Sequence, residues 1–258
     1  MIHTFHLFAL GIYSHPERSM KNNSFKKHIS VDCVIFGYNE NENKVEVLLI
    51  EQKEPSKNTT HPYVPQFALP GDLVNEDESL DDAAIRVLKE LTHVEGLHLR
   101  QFHSFGDPNR VKQEKDKEWL KFYRSDPDAR VITVSYYTLV RKEIIKAEPG
   151  SFAKNVVWKN IKRVPTLAFD HNQIVKKAIE DIQDRIYQND IAQQLLPKKF
   201  TLRQLQNLYE VVLNTEFDKR NFIKRIKKDE ELIHLDEKQK GVLHKPAQLF
   251  SFKTKKRK

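Results

Sequence analysis

Leu80, Ala83, Ala84, Val87, Leu88 and Leu91 recur three and four residues apart, which places all six on one side of an α-helix. Ser79 stands at the N-cap position of that helix, and Asp82 three residues later completes a capping pair. β-branched runs surround it. Ser30–Phe36 and Lys44–Ile50, joined by a polar turn at residues 38–43, predict a hairpin. Residues 99–105, 131–140 and 156–158 predict three further strands. A second periodic stretch, Ile174, Val175, Ala178, Ile179, Ile182 and Ile186, predicts a helix that begins at a capping Asp170. His171 beside that cap belongs to the helix start, since no nucleophile accompanies it.

The charge is unevenly spread. The 258 residues carry a formal +8, yet residues 197–258 hold 17 Lys and Arg against 8 Asp and Glu, and the remainder is close to neutral. A neutral body with a basic end suggests a polyanion-binding module, although a solvated tail such as residues 253–258 gives the same count. Cys33 is the single cysteine, which excludes a disulfide framework and a cysteine-rich zinc site; it reads as a core residue of the first strand. Seven glycines argue against a glycine-rich phosphate loop as the organising feature. No apolar run approaches the ~18 residues of a membrane-spanning helix. Residues 1–29 read as a flexible extension without the basic start of a signal peptide, with Met20 a candidate true start. A cytoplasmic protein, associated with the nucleoid when bound to DNA, is expected.

The basic end has its own pattern. Thr201 caps a helix with Leu202, Leu205, Leu208, Tyr209 and Val212 on one face. Asp218 caps a second, whose inner face is Phe222, Ile223 and Ile226 and whose outer face carries Lys219, Arg220, Asn221, Lys224, Arg225, Lys227 and Lys228. Segments around residues 233–235 and 249–252, turned at Gly241, complete the plan of a winged helix-turn-helix. Arg220 and Asn221, near the start of the second helix, are placed to reach base edges. Lys219, Lys224, Arg225 and Lys228 are placed to meet phosphates, with His244 and Lys245 on the wing.

Residues 71–94 resemble a Nudix box. A register from Gly71 puts Asp77, Ile85 and Arg86 at the motif's Glu, Arg and Glu. A register one residue later puts Asp72 at the first glycine, Glu78 at the glutamate, Arg86 at the arginine and Glu90 at one of three helix glutamates. Val87 and Leu91 then occupy the other two, and His93 the second glycine. In that register the family's metal site becomes part of an apolar surface or a dry pocket, and no metal, cofactor or catalytic residue is expected. The acidic residues at 76–78 and 81–82 complement a helix N-terminus and need no metal to explain them. Glu90 and Arg86 can pair with each other or bind a ligand.

With the segments Phe200–Gln206, Asp218–Phe222, Lys245–Phe250 and Val164–His171, the chain resembles the Nudix-related transcriptional regulators. These include repressors of NAD metabolism and the arabinose regulators of Bacteroidetes. The resemblance implies a Nudix α/β/α sandwich with a mixed sheet over residues 30–165, a helical connector over 166–196 and a winged-helix domain over 197–258. It implies a homodimer on operator DNA, with no membrane partner, and an effector that changes the spacing of the two DNA helices. It also implies an effector pocket that includes Phe67, Arg86 and Glu90. The effector is a pentose such as arabinose or an ADP-ribose-like nucleotide, and missing metal carboxylates tip the expectation towards the sugar. Residues 106–130, a charged insert with Trp119, Phe122 and Tyr123, border the expected cleft. An active Nudix hydrolase of nucleoside-diphosphate compounds and a sensor acting by protein contact are the competing readings.

Overall fold

Strand β1 (Lys27–Asn39) is the centre of a seven-stranded mixed sheet in the computed structural model, which describes residues 27–53, 66–124, 126–186, 190–226, 232–243 and 245–253. β2 (Lys44–Gln52) turns back antiparallel to β1, and β6 (Arg130–Arg141) runs parallel to it over twelve registered pairs. The sheet is completed by β3 (Phe67–Ala68) and β7 (Ala153–Asn160) beside β2, β4 (Gly71–Leu73) beside β1, and β5 (Arg100–Phe105) beside β6. β1 starts at Lys27, inside the segment expected to be an extension. Met20 lies outside the described residues.

Both faces of β1 are covered. Val31, Cys33 and Ile35 belong to one apolar cluster, and Val34, Phe36 and Tyr38 to another. Successive side chains of a strand point to opposite faces, so burial on both sides is what makes the strand read as a continuous apolar run. Helix α1 (Leu80–Thr92) lies on the Cys33 face and buries Ala83, Ala84, Val87, Leu88 and Leu91. Ser79 caps it as expected, its Oγ accepting the Asp82 N–H, and His93 ends it in the left-handed conformation. The insert folds over the same face through α2 (Lys117–Tyr123), which buries Trp119 and Leu120.

Helices α3 (His171–Arg185) and α4 (Asp190–Leu195) cover the other face. Asp170 occupies the N-cap position of α3 but makes no side-chain capping hydrogen bond, because its carboxylate is engaged by Arg110. Helix α4 falls within the expected connector. After it, β8 (Phe200–Thr201), α5 (Leu202–Leu213), α6 (Lys219–Ile226), β9 (Leu232–Lys238) and β10 (Gln248–Phe252) form the winged helix, with its small sheet in the order β8-β10-β9. Thr201 and Gln204 form a reciprocal capping box on α5. The turn between α5 and α6 passes through Asn214 at φ 49°, and buried Gln206 donates to the Phe217 carbonyl and to Glu210.

The winged helix shares its core with the sheet. Leu205, Leu208, Tyr209, Phe222 and Phe250 belong to the same cluster as Phe36, Leu49, Ile174 and Ile182. Gln183 on α3 donates to the Val212 carbonyl of α5 at 2.9 Å. Among the described residues no helix is long and apolar enough to cross a membrane. Ile182 is 4% exposed in this shared cluster. Ile182→Ala is expected to lower stability by about 2–4 kcal/mol in urea unfolding, with sheet and winged helix losing structure in one transition.

Candidate functional site

Asp32 is an acidic side chain on a strand buried on both faces, and such a charge must be paired. Its Oδ2 accepts from Arg110 Nη2 at 3.3 Å, and His171 Nε2 lies 3.4 Å from Oδ1. The Leu69 N–H donates to His171 Nδ1 at 3.0 Å, which leaves Nε2 as the ring nitrogen that faces Asp32 with a proton. Arg110 also forks onto Asp170 through Nε at 2.9 Å and Nη2 at 2.7 Å. Burial would raise the Asp32 carboxyl, but His171, Arg110 and Thr133 together hold it well below the usual carboxylate range. Burial pulls the Arg110 guanidinium down, and Asp32 and Asp170 more than offset it. Gly71 is required opposite Asp32, since a Cβ there would stand 2.0 Å from Oδ1.

This network floors a cleft of about 530 Å³, counted out to its mouth, with an inner cavity of about 50 Å³. Asp72, Trp119, Arg124 and Phe169 join the lining. Phe169 holds φ at 55°, a conformation rare for a side chain of its size, with its N–H donating to Asp116 at 3.0 Å. Its ring meets those of Trp119 and His171 edge-on. The Arg124 Nη1 is buried and has no hydrogen-bond partner among the described residues. Burial and the nearby Arg110 lower its pKa, against the pull of Asp32 and Asp72. Leaving a buried donor of this kind unsatisfied costs about 1–3 kcal/mol, more when it is charged, which suits a site built for an anion.

On α1, Val87 is fully buried and Leu91 is 2% exposed, both packed in the cluster of the Cys33 face. Arg86 donates to both oxygens of Glu78 (2.8 and 2.6 Å), to Glu90 (3.1 Å) and to the Leu73 carbonyl (2.9 Å). Arg86 and Glu90 therefore meet each other, and neither lines the cavity. Phe67 lies against the opposite cluster, with Lys159 Nζ 5.1 Å over its ring. The three residues expected to contact an effector are thus not brought together. Among the described residues no three His, Cys, Asp or Glu side chains converge as metal ligands would.

The basic face of α6 is arranged as the spacing predicts. Phe222 and Ile226 are buried, while Lys219, Arg220, Asn221, Lys224 and Arg225 are exposed together. The Asn221 N–H donates to Asp218 Oδ1, which fixes the helix start. Lys245 is exposed beyond the wing turn; Lys228 and His244 lie outside the described residues. Gly71, Asp72, Trp119 and His171 of the cavity stand out in the sequence, but no pattern joins them to one site. Asp32 shows only as an acidic interruption of an apolar strand. Arg110, Trp119 and Arg124 sit in a charged insert where nothing in their spacing distinguishes them from solvated neighbours.

Residues 26–180 match the NUDIX domain family, and residues 192–252 match the NrtR DNA-binding winged helix domain. An ADPR responsive transcriptional repressor NtrR from Acinetobacter baylyi is 25% identical over 228 residues, covering 87% of this chain and 81% of its own length. An ADP-ribose pyrophosphatase from Methanocaldococcus jannaschii is 27% identical over 179 residues, 66% of this chain and 89% of its own length. A MutT/nudix family protein from Enterococcus faecalis superposes with a TM-score of 0.66 at 26% identity, covering 95% of this chain and 90% of its own. Shewanella oneidensis NrtR, in complex with a 27mer DNA, superposes with a TM-score of 0.59 at 25% identity, covering 87% of this chain and 93% of its own.

The Glu78–Arg86 pair has a pH signature. The Arg86 hydrogen bonds lower the Glu78 pKa from 4.5 to about 2. A depressed carboxylate contributes stability above its unfolded pKa and loses it as pH falls through the folded value. Glu78→Gln is therefore expected to flatten the decline in melting temperature between pH 4.5 and about 2, measured by circular dichroism.

Proposed function

We propose, for a chain that belongs to the Nudix family and ends in an NrtR-type DNA-binding winged helix, that it is a transcriptional repressor controlled by a phosphate-bearing metabolite. The observation that carries the DNA half is the face of α6, four basic residues and Asn221 exposed over a buried Phe222 and Ile226. Arg220 and Asn221 read base edges, and Lys219, Lys224 and Arg225 neutralise phosphates. Lys228, His244 and Lys245 extend the phosphate contacts. The repressor acts as a homodimer on a two-fold operator, so one α6 enters each half-site.

The effector is of the ADP-ribose class. Support comes from the ADP-ribose response of the Acinetobacter relative and from Arg124 in the cleft, whose buried, unbonded Nη1 suits an anion better than a neutral pentose. Arg86 and Glu90 act as structural partners of each other, not as effector contacts. Helix α3 links the two halves: its first residue, His171, lines the cleft, and its Gln183 holds α5. The relative that is an ADP-ribose pyrophosphatase keeps a hydrolase reading in view. Against it, Val87 and Leu91 are buried apolar side chains in the register that aligns Glu78 and Arg86 with the box.

Gel shifts against the chain's own upstream region are expected to show binding that weakens steeply with salt. Lys224→Ala and Arg225→Ala should weaken binding to all sequences alike, and Arg220→Ala or Asn221→Ala should cost about 1–3 kcal/mol at one base position and relax preference there. No salt-sensitive shift would remove the DNA-binding reading. Calorimetry is expected to show binding of ADP-ribose and none of L-arabinose. ADP-ribose turnover in magnesium above background would favour the hydrolase.

A further inference from the structure

We propose that Arg124, supplied by the insert over residues 106–130, takes the place of the Nudix metal, so that the phosphate of the effector is held by a guanidinium and without a divalent cation. The proposal rests on the effector reading above. A Nudix fold implies a metal held by clustered carboxylates, because a diphosphate needs concentrated positive charge beside it. The residues here do not fit one. Val87 and Leu91 offer no oxygen and are packed in the core. Glu78 and Glu90 are both bound by Arg86, so these two carboxylates already have a cationic partner.

Two guanidinium groups, Arg110 and Arg124, line the cleft instead. Arg110 has its Nε and Nη2 engaged by Asp32 and Asp170. Arg124 is different: Nη1 is buried, lines no hydrogen bond among the described residues, and belongs to a side chain that lines the cavity. A guanidinium with a buried, unbonded Nη1 offers a phosphate both charge and a planar donor geometry. Trp119, five residues earlier in the insert, and Phe169 supply flat apolar walls on the same cavity. Asp72 is, with Asp32, one of two carboxylates in the cavity lining; its Oδ1 accepts the Leu73 N–H at 2.7 Å. In this arrangement Asp72 opposes the ligand, whereas in a metal site it would help to hold it.

Calorimetry of the full chain with ADP-ribose, in EDTA and in excess magnesium, tests the proposal. Affinity is expected to be the same in both, to fall about tenfold or more in Arg124→Met with partial recovery in Arg124→Lys, and to rise in Asp72→Asn. A circular dichroism melt and unchanged DNA binding of the effector-free variants separate loss of the site from loss of the fold. Binding that requires magnesium, or that survives Arg124→Met, would overturn the proposal and leave the effector reading intact. If ADP-ribose binds in neither condition the effector reading fails. Inorganic pyrophosphate then probes the cavity alone: binding lost in Arg124→Met supports an anion site there, and no binding overturns it.

Discussion

The structure depends on one strand being buried on both faces. Once β1 pairs with β2, β4 and β6, its two rows of apolar side chains each need a cover. The first row takes α1 and the insert, and the second takes α3, α4 and the winged helix. The DNA-binding unit is therefore not appended through a bare linker. It completes a core whose other half is the central sheet, so a shift of α3 against the sheet must also be felt by α5.

Two-sided burial also explains the chemistry. Asp32 could not sit in such a strand alone, and its compensation comes from three distant stretches: Arg110 from the insert, His171 from the start of α3, and Thr133 from β6. Arg110 reaches on to Asp170, which ties the insert to the helix that contacts the winged helix. Arg110 thereby sets its guanidinium on the N-cap residue of α3. The network is thus both the floor of the cavity and the clamp on the element that links the two halves.

Much of the fold could be read from residue spacing. The one-sided helix at Leu80–Leu91, the Ser79 and Thr201 caps and the strands around residues 30–50 and 131–140 are local patterns, and local patterns follow from backbone geometry. The α6 face was legible for the same reason, since a helix sorts Phe222 and Ile226 from Arg220, Asn221 and Lys224 by periodicity alone. Helix α4 was missed because six residues carry too little period to register. The cap expected of Asp170 failed because a residue 60 positions away took its carboxylate.

The sequence by itself determined the elements, the apolar faces and the basic helix, together with the substitution of Val87 and Leu91 into a box that resembles a metal site. It did not determine which residues line the cleft. Phe67, Arg86 and Glu90 lie in or near the recognisable motif, yet they face a different cluster or one another. The cleft is lined by Asp32, Arg110, Arg124 and His171, which are separated by up to 139 positions and have no shared period. Only the folded sheet, with the insert closed over one face and α3 starting at its edge, brings Asp32, Arg110 and His171 together and sets Arg124 on the same cleft. Electrostatic pairing of this kind depends on distance in space, which residue order does not record.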